Sequence, residues 1–427
     1  MLTTLFPKAF QRHSSLPLLG PIADSFDDWL LDRGYTVGSR TNAIEMLRHI
    51  DKNLRRRSIE HVTQLTHSIL CCCWRALFQR FPGKAGTVRV LERYLETRGL
   101  LNTGEGAELR SEIDVQVTAY ADYLQEVRGC AQRTICGHIR TAKYFLLYLK
   151  KQSRRLQVLT TGDLEEYIKK ARTRRRLGRG AVQNEVCVLR SFLRFLAITE
   201  KVTPGLDRQI DSPRHYRLEQ LPRCLPWETV RSFLRSIDRT TTLGLRDYTI
   251  FLLIATYGLR VSEIAALRLE NIEWRTCRIK IVQCKTSTPL ELPLTNEVGT
   301  ALFKYLHRVP PRSPHRQIFL RMMAPIGPLK PRAVSMAFHA WSRRSGLGIP
   351  YHGPHCMRHA YAANLLRNGT SLKTIGDILG HRCARSTVTY LRLATGDLRD
   401  VALPVPTKPE QKCLASAGTG EGVLPLR

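Results

Sequence analysis

Residues 256–264 read Thr-Tyr-Gly-Leu-Arg-Val-Ser-Glu-Ile. Ahead of them, Arg246 to Thr256 is apolar enough to form a buried helix. Gly258 breaks it, and Val261, Ile264 and Ala265 then fall on one face of a second helix. Arg260 therefore stands at the start of a helix, immediately after a glycine turn. Downstream the period changes. Ile279 and Ile281, then Leu292 and Leu294, alternate with polar or small residues around Lys285-Thr286-Ser287-Thr288, which predicts a β-hairpin over Arg278 to Leu294 with Pro293 suited to an edge strand. Helices resume at Val334 to Ser345, at Arg358 to Asn368 before Gly369, at Leu372 to Leu379 between a Ser371 cap and a Gly380 stop, and from Ser386. The expected fold class is mainly α with a small β-sheet.

Upstream, Pro204, Gly205, Pro213, Pro222 and Pro226 interrupt any periodicity, and Arg208, Arg214, Arg217 and Arg223 keep the stretch basic. This predicts a domain boundary. From residue 26 to residue 200 apolar positions recur every three or four residues, as in almost continuous helix. Two segments there look alike. Trp29-Leu30 to Arg33-Gly34 and then Arg40-Thr41 is echoed by Tyr123-Leu124 to Arg128-Gly129 and then Arg133-Thr134, each leading into a second helix (Ala43 to Leu54; Ile135 to Leu149). Both a duplicated hairpin and a chance likeness between amphipathic helices fit that echo. The division expected is an accessory helical region at 1–110, a second helical domain at 111–200, a basic linker at 201–226, a mixed domain at 227–403 and a flexible tail at 404–427.

Composition sets outer bounds on function. The 427 residues hold 67 Lys+Arg against 36 Asp+Glu, a formal charge of +31, with 43% hydrophobic residues. Wholesale disorder is excluded, because a sizeable core can be buried. The longest apolar run, Tyr248 to Leu259, is far short of the ~18 residues that span a bilayer. The opening residues carry no secretory pattern. The 12 cysteines include a Cys71-Cys72-Cys73 cluster but no C-x-x-C pair, so reduced thiols are expected. A charge this large points to a polyanion, most simply nucleic acid.

The chemistry-bearing residues complete that thought. Arg260 and Lys285 are joined by His355-Cys356-Met357-Arg358-His359, in which Arg358 lies one turn beyond His355, and by Leu379-Gly380-His381, with Tyr390 nine residues on. A site rich in donors and poor in carboxylates cannot assemble a magnesium cluster, but it can clamp a phosphodiester. Arginine forks neutralise the non-bridging oxygens as phosphorus becomes five-coordinate. A deprotonated tyrosine is a competent nucleophile.

In this order the motifs resemble those of the tyrosine recombinases, or phage-type integrases. Arg260 falls in the family's A-T-G-L-R-x-S-E pattern with Tyr257 in place of Thr, and Lys285 matches the hairpin lysine. His355 and Arg358 match H-x-L-R-H with Met357 in place of Leu; His381 matches L-G-H, and Tyr390 has the usual spacing from it. The likeness is good from Arg246 to Arg392, weaker over Val115 to Ala197, which is similar to the family's helical core-binding domain, and absent before Arg110. It implies a site-specific DNA recombinase in which Tyr390 forms a 3′-phosphotyrosine. Arg260 and Arg358 would hold the phosphate, Lys285 would protonate the leaving 5′-oxygen, and His355 and His381 would assist. No ATP, metal or other cofactor is implied. The partner is double-stranded DNA, with four protomers on two sites, companion recombinases or accessory proteins beside them, and a cytoplasmic, nucleoid-associated setting.

Two other readings stay open: a catalytically silent DNA-binding protein of the same fold, and a nicking-closing enzyme like the type IB topoisomerases. At the residue level, Arg260 could simply pair with Glu263, and Tyr351 and Tyr361 are rival nucleophiles. His355 and His359 fit a zinc motif poorly, because Cys356 stands where Glu is needed. The run Arg172, Arg174, Arg175, Arg176 and Arg179, expected between two helices, and Arg214 and Arg217 of the linker are assigned to DNA phosphates. Tyr144, Tyr148, Phe192 and Phe195 are expected in the core.

Overall fold

The computed structural model describes residues 2–7, 10–102, 112–214, 222–283, 288–308, 315–380 and 384–393. The chain divides into two units, Met1–Gln220 with Arg321–Gly327, and Leu221–Leu320 with Pro328–Arg427. Arg217, the hairpin tip at 284–287, His381 and the tail at 404–427 lie outside the described residues.

In the first unit six helices come first: α1 (Leu2–Leu5), α2 (Phe10–Ser14), α3 (Gly20–Asp32), α4 (Val37–Arg55), α5 (His67–Arg80) and α6 (Gly86–Thr97). Their apolar faces close over one core that includes Phe26, Leu47, Leu91 and Tyr94. A buried charge is matched within it, since Arg40 donates from Nε and Nη2 to the Asp27 carboxylate at 2.7 and 2.5 Å. Four helices follow: α7 (Glu112–Asp122), which passes into a π-helical turn at Tyr123–Val127, then α8 (Gln132–Lys151), α9 (Thr161–Arg175) and α10 (Arg179–Ile198). These have a separate core around Tyr120, Phe145, Tyr167 and Phe192. The continuous helix expected over 26–200 is therefore a series, broken at Gly34, Gly99 and Gly129, which all adopt positive φ.

Two expectations change here. The helical domain does not end at residue 200: Val202, Leu206 and Ile210 are buried in the core of α7–α10, and Arg194 Nε holds Asp207 at 2.7 Å. Apolar side chains four residues apart outweigh the Pro-Gly punctuation between them. The basic run is also less loop-like than expected. Arg172, Arg174 and Arg175 form the last turn of α9, Arg176 caps it at φ +48°, and Arg179 opens α10. Arg175 is engaged internally, its Nη1 2.9 Å from the buried Glu185, which also accepts from Tyr167 Oη at 2.8 Å. Of the four aromatics placed in the core, Phe192 and Phe195 are buried and Tyr148 is half-buried, but Tyr144 is 47% exposed beneath the Arg175 guanidinium.

The second unit carries α11 (Trp227–Ser236), α12 (Thr242–Tyr257), α13 (Val261–Ala266), the strands β1 (Ile272–Glu273), β2 (Arg278–Val282) and β3 (Pro289–Pro293), then α14 (Asn296–Arg308), α15 (Pro331–Arg344), α16 (His355–Arg367), α17 (Leu372–Leu379) and α18 (Ala384–Val388). The sheet is antiparallel in the order β1-β2-β3, with Ile279 opposite Leu292 and Ile281 opposite Leu290. Pro289 and Pro293 lie on the edge strand, where a missing N–H costs no ladder bond. No helix among the described residues is long and apolar enough to cross a membrane.

Helix α12 is the axis of this unit, buried along nearly its whole length. Near its start Asp247 takes Arg246 Nε and Nη2 at 2.9 and 2.7 Å on Oδ1, and Trp341 Nε1 at 2.9 Å on Oδ2. An Asp247→Ala variant leaves Arg246 buried without its counter-charge. It is expected to lose about 3–5 kcal/mol of stability, read as the shift in a denaturant-unfolding midpoint.

Candidate active site

Two glycines frame the site. Helix α12 ends at Gly258 with φ +64°, and α17 ends at Gly380 with φ +61°; both are left-handed caps that leave helix-end carbonyls facing out. Helix α16 starts at His355, three residues earlier than periodicity suggests, and carries Arg358 between the two caps. Arg358 is 3% exposed, with Nη1 donating to the Gly258 carbonyl at 2.5 Å and Nη2 to that of Leu379 at 2.6 Å. Arg260 precedes α13. Its backbone N–H donates to Glu263 Oε2 at 2.7 Å, its Nη1 to Glu263 Oε1 at 2.8 Å, and its Nη2 to the Gly380 carbonyl at 3.3 Å. Arg358 is thus tied to the negative ends of both α12 and α17, and Arg260 shares the α17 end with it. The pairing of Arg260 with Glu263 does not compete with a functional role; it fixes the guanidinium.

Burial lowers the Arg358 pKa to about 10, and the like charge of Arg260 pushes it the same way. Two cations sharing one carboxylate leave a net positive, water-poor pocket that an oxyanion would relieve. Tyr390 lies in the 3-10 turn Thr389–Leu393, 2% exposed and packed with Ala362, Ile375 and Leu379. Burial raises its pKa above the ordinary value, while the positive charges of Arg358 and Arg260 pull it down. The arginine pair therefore offsets part of the effect of burial.

Tyr390 Oη is 3.1 Å from His359 Nδ1, and the His359 ring stands nearly perpendicular to that of His355 with centroids 4.5 Å apart. In the sequence His359 reads only as half of a poor zinc motif. Its placement at i+4 from His355 was the signal that both rings share one face of a helix. The rival tyrosines have other roles: Tyr351 Oη donates to the Cys224 carbonyl at 3.5 Å, and the Tyr361 ring packs against Gly258. Cys356 is buried with its thiol pushed up to about 12 and Sγ 3.2 Å from the Gly353 carbonyl.

Lys285 and His381 are outside the described residues, but their neighbours are not. Gln283 N–H donates to the Thr288 carbonyl at 3.0 Å, closing the base of the hairpin. The Gln283 side chain is buried against Gly380, where an added Cβ would stand 1.8 Å from its Oε1. Tyr257, the departure from the usual Thr, joins the other end of the hairpin to α12, its Oη donating to the Pro293 carbonyl at 2.6 Å and accepting from Thr295 N–H at 3.2 Å. A Gly380→Ala variant combines left-handed strain with overlap on Gln283. It is expected to lose about 1–3 kcal/mol of stability, measured by thermal melting, and to displace the carbonyl that anchors Arg260. Of the phosphate-contact assignments, Arg214 is exposed, while Arg172, Arg174, Arg176 and Arg179 cluster at the α9–α10 junction.

Residues 224–396 match the model described as Phage integrase family, and residues 117–200 match Phage integrase, N-terminal SAM-like domain. The "Putative integrase/recombinase y4rA" of Sinorhizobium fredii (strain NBRC 101917 / NGR234) is 31% identical over 411 residues, covering 92% of this chain and 96% of the relative. The "Tyrosine recombinase XerD" of Listeria monocytogenes serotype 4b (strain F2365) is 28% identical over 287 residues, 66% of this chain and 95% of that one. Among solved structures, XerH site-specific recombinase bound to palindromic difH substrate aligns with a TM-score of 0.52 at 17% identity, over 72% of this chain and 92% of that chain. A lambda integrase(75-356) dimer bound to a COC′ core site gives 0.50 at 16%, over 65% and 94%. At these identities the structural likeness concerns the fold.

Proposed function

Because the chain belongs to the phage integrase family, the tyrosine recombinases, we propose that it works as a site-specific DNA recombinase through a 3′-phosphotyrosine on Tyr390. The observation that carries this assignment is the Tyr390 hydroxyl itself, buried, hydrogen-bonded to His359 and near enough to Arg358 and Arg260 for their charges to offset part of the rise that burial causes in its pKa. Tyr390 Oη attacks the scissile phosphorus, the P–O5′ bond breaks, and the 5′-oxygen takes a proton from Lys285. Arg260 and Arg358 hold the non-bridging oxygens through the transition state. His359 receives the phenolic proton at Nδ1, and His355 and His381 assist with hydrogen bonds to the phosphate.

The ester formed resembles the one broken, so a 5′-hydroxyl from a second strand reverses the step with no external energy source. Exchange between two duplexes needs four protomers on two sites. The helical half grips phosphates with Arg172, Arg174, Arg176 and Arg179, and the segment ahead of α11 does so with Arg214 and Arg217. Such an enzyme works wherever the cell's DNA lies, in the cytoplasm at the nucleoid. A nicked duplex carrying the ends of the element that encodes this chain tests the assignment, because loss of the short 5′ fragment traps the covalent species. Mass spectrometry of the digested adduct should find the nucleotide on the peptide containing Tyr390; a modified Tyr351 or Tyr361 would replace the assignment.

A further inference from the structure

The six N-terminal helices have no counterpart in the matched family models, which begin at residue 117, yet four of them, α3–α6, repeat the geometry of α7–α10. The first inter-helix turn of each set ends in a left-handed glycine, Gly34 at φ +76° and Gly129 at φ +56°. Each set then has, 24 residues later, a serine in the left-handed region: Ser58 at φ +59° and Ser153 at φ +52°. A non-glycine residue there is uncommon. Finding serine at the same step twice, with Ile59 N–H on the Leu54 carbonyl at 3.3 Å and Arg154 N–H on that of Leu149 at 3.0 Å, marks one turn used twice.

The likeness continues. A short 3-10 turn follows in both (Val62–Gln64; Leu156–Val158), then a buried leucine, Leu65 or Leu159, and a threonine cap, Thr66 or Thr160, whose hydroxyl accepts the backbone N–H three residues on. The last turns of the final helices carry Tyr94-Leu95 and Phe195-Leu196, with Leu100 N–H on the Leu95 carbonyl at 2.9 Å and Lys201 N–H on that of Leu196 at 2.8 Å. Left-handed Gly99 and Glu200 precede buried Leu101 and Val202. The copies differ by one residue at the π-helical turn, as such insertions produce, and by the longer Arg-rich junction of α9 and α10.

The corresponding α5–α6 junction also carries cations. A cavity of about 430 Å³ lies there, lined by Phe81 and Lys84 of the junction, Arg48, His49 and Glu45 of α4, and Arg12 and His13 of α2. Arg12, Arg48 and Lys84 are exposed, while Glu45 stands 3.7 Å from Lys84 and its charge also acts on His13. His13 is 6% exposed and its Nδ1 has no hydrogen-bond partner among the described residues. Buried imidazole nitrogen without a partner is costly unless a ligand supplies one. Residues 1–102 as a whole hold 15 Lys+Arg against 9 Asp+Glu.

We propose that residues 20–101 are a second copy of the SAM-like unit, and that the cavity beside its α5–α6 junction takes a backbone phosphate of duplex DNA. The enzyme then grips DNA with two tandem modules before the catalytic unit. This rests on the DNA-binding reading of the α9–α10 arginines, and the test separates the two.

Binding of the full chain to a fluorescent duplex of about 60 base pairs and arbitrary sequence is followed by anisotropy across a range of KCl, because each phosphate contact contributes about −0.9 to the slope of log K against log salt. Arg48→Gln/Lys84→Gln is expected to reduce the slope by about 2 and to melt like the wild type, since both side chains are exposed. Arg172→Gln/Arg174→Gln should do the same from the second module. If the Arg172/Arg174 pair lowers the slope and the Arg48/Lys84 pair leaves it unchanged, the tandem-module inference is overturned while the DNA reading stands. If neither pair moves it, the DNA reading of both junctions falls.

Discussion

A Tyr390→Phe enzyme is expected to form no covalent adduct on the nicked duplex, a loss of at least about 10⁴-fold in cleavage, while binding the same duplex with unchanged affinity. The asymmetry follows from what the substitution removes. The aromatic ring stays in its contact with Ala362, Ile375 and Leu379, so the core is preserved, while the hydroxyl that meets His359 Nδ1 is withdrawn. The rival tyrosines do not take its place: the Tyr361 ring lies against Gly258, and Tyr351 Oη is bonded to the Cys224 carbonyl. Denaturing gels quantify the adduct, and anisotropy on intact duplex quantifies binding. Equal trapping by the variant and the parent would remove Tyr390 from the mechanism.

The second large effect is expected at Arg358. Lysine preserves the charge but presents one ammonium in place of a planar fork, so it cannot reach the Gly258 and Leu379 carbonyls together and still face a phosphate. Single-turnover cleavage by Arg358→Lys should fall by about 10²–10⁴-fold. Stability should fall as well, by about 1–3 kcal/mol, because two buried carbonyls lose a charged donor. Arg260→Lys separates the two contributions. Arg260 is more exposed and is held by Glu263, so its loss should slow cleavage similarly with a smaller change in melting temperature. An Arg358→Lys enzyme cleaving within about threefold of the parent would show that the fork is not used on the phosphate.

How much of this was legible in the sequence depends on how local each cause is. Helix α17 between Ser371 and Gly380 could be read to the residue, because cap and stop act within one turn. The hairpin strands were equally legible, from alternation alone. What holds Arg358 was not: its acceptors belong to α12 and α17, and only the packed fold brings those helix ends to α16. His359 carried the right spacing but no signal that a tyrosine 31 residues later would meet it. Arg175 could be told from its neighbours only once Glu185 was found buried across the next helix. The prolines and glycine after residue 200 correctly announced a change in the chain, but they act on the backbone. They say nothing of whether Val202, Leu206 and Ile210 find apolar partners, and these do.

The buried thiol of Cys356 has a practical consequence. Thiolates, not thiols, react with maleimides and peroxides, and a group held near 12 in the dry start of α16 stays protonated and out of reach of both. Cys136, Cys187 and Cys277 are exposed. The protein therefore comes with its own reporter positions: a dye or spin label added under mild conditions will enter the α8, α10 and β1–β2 surfaces and leave the helix that bears His355, Arg358 and His359 chemically untouched.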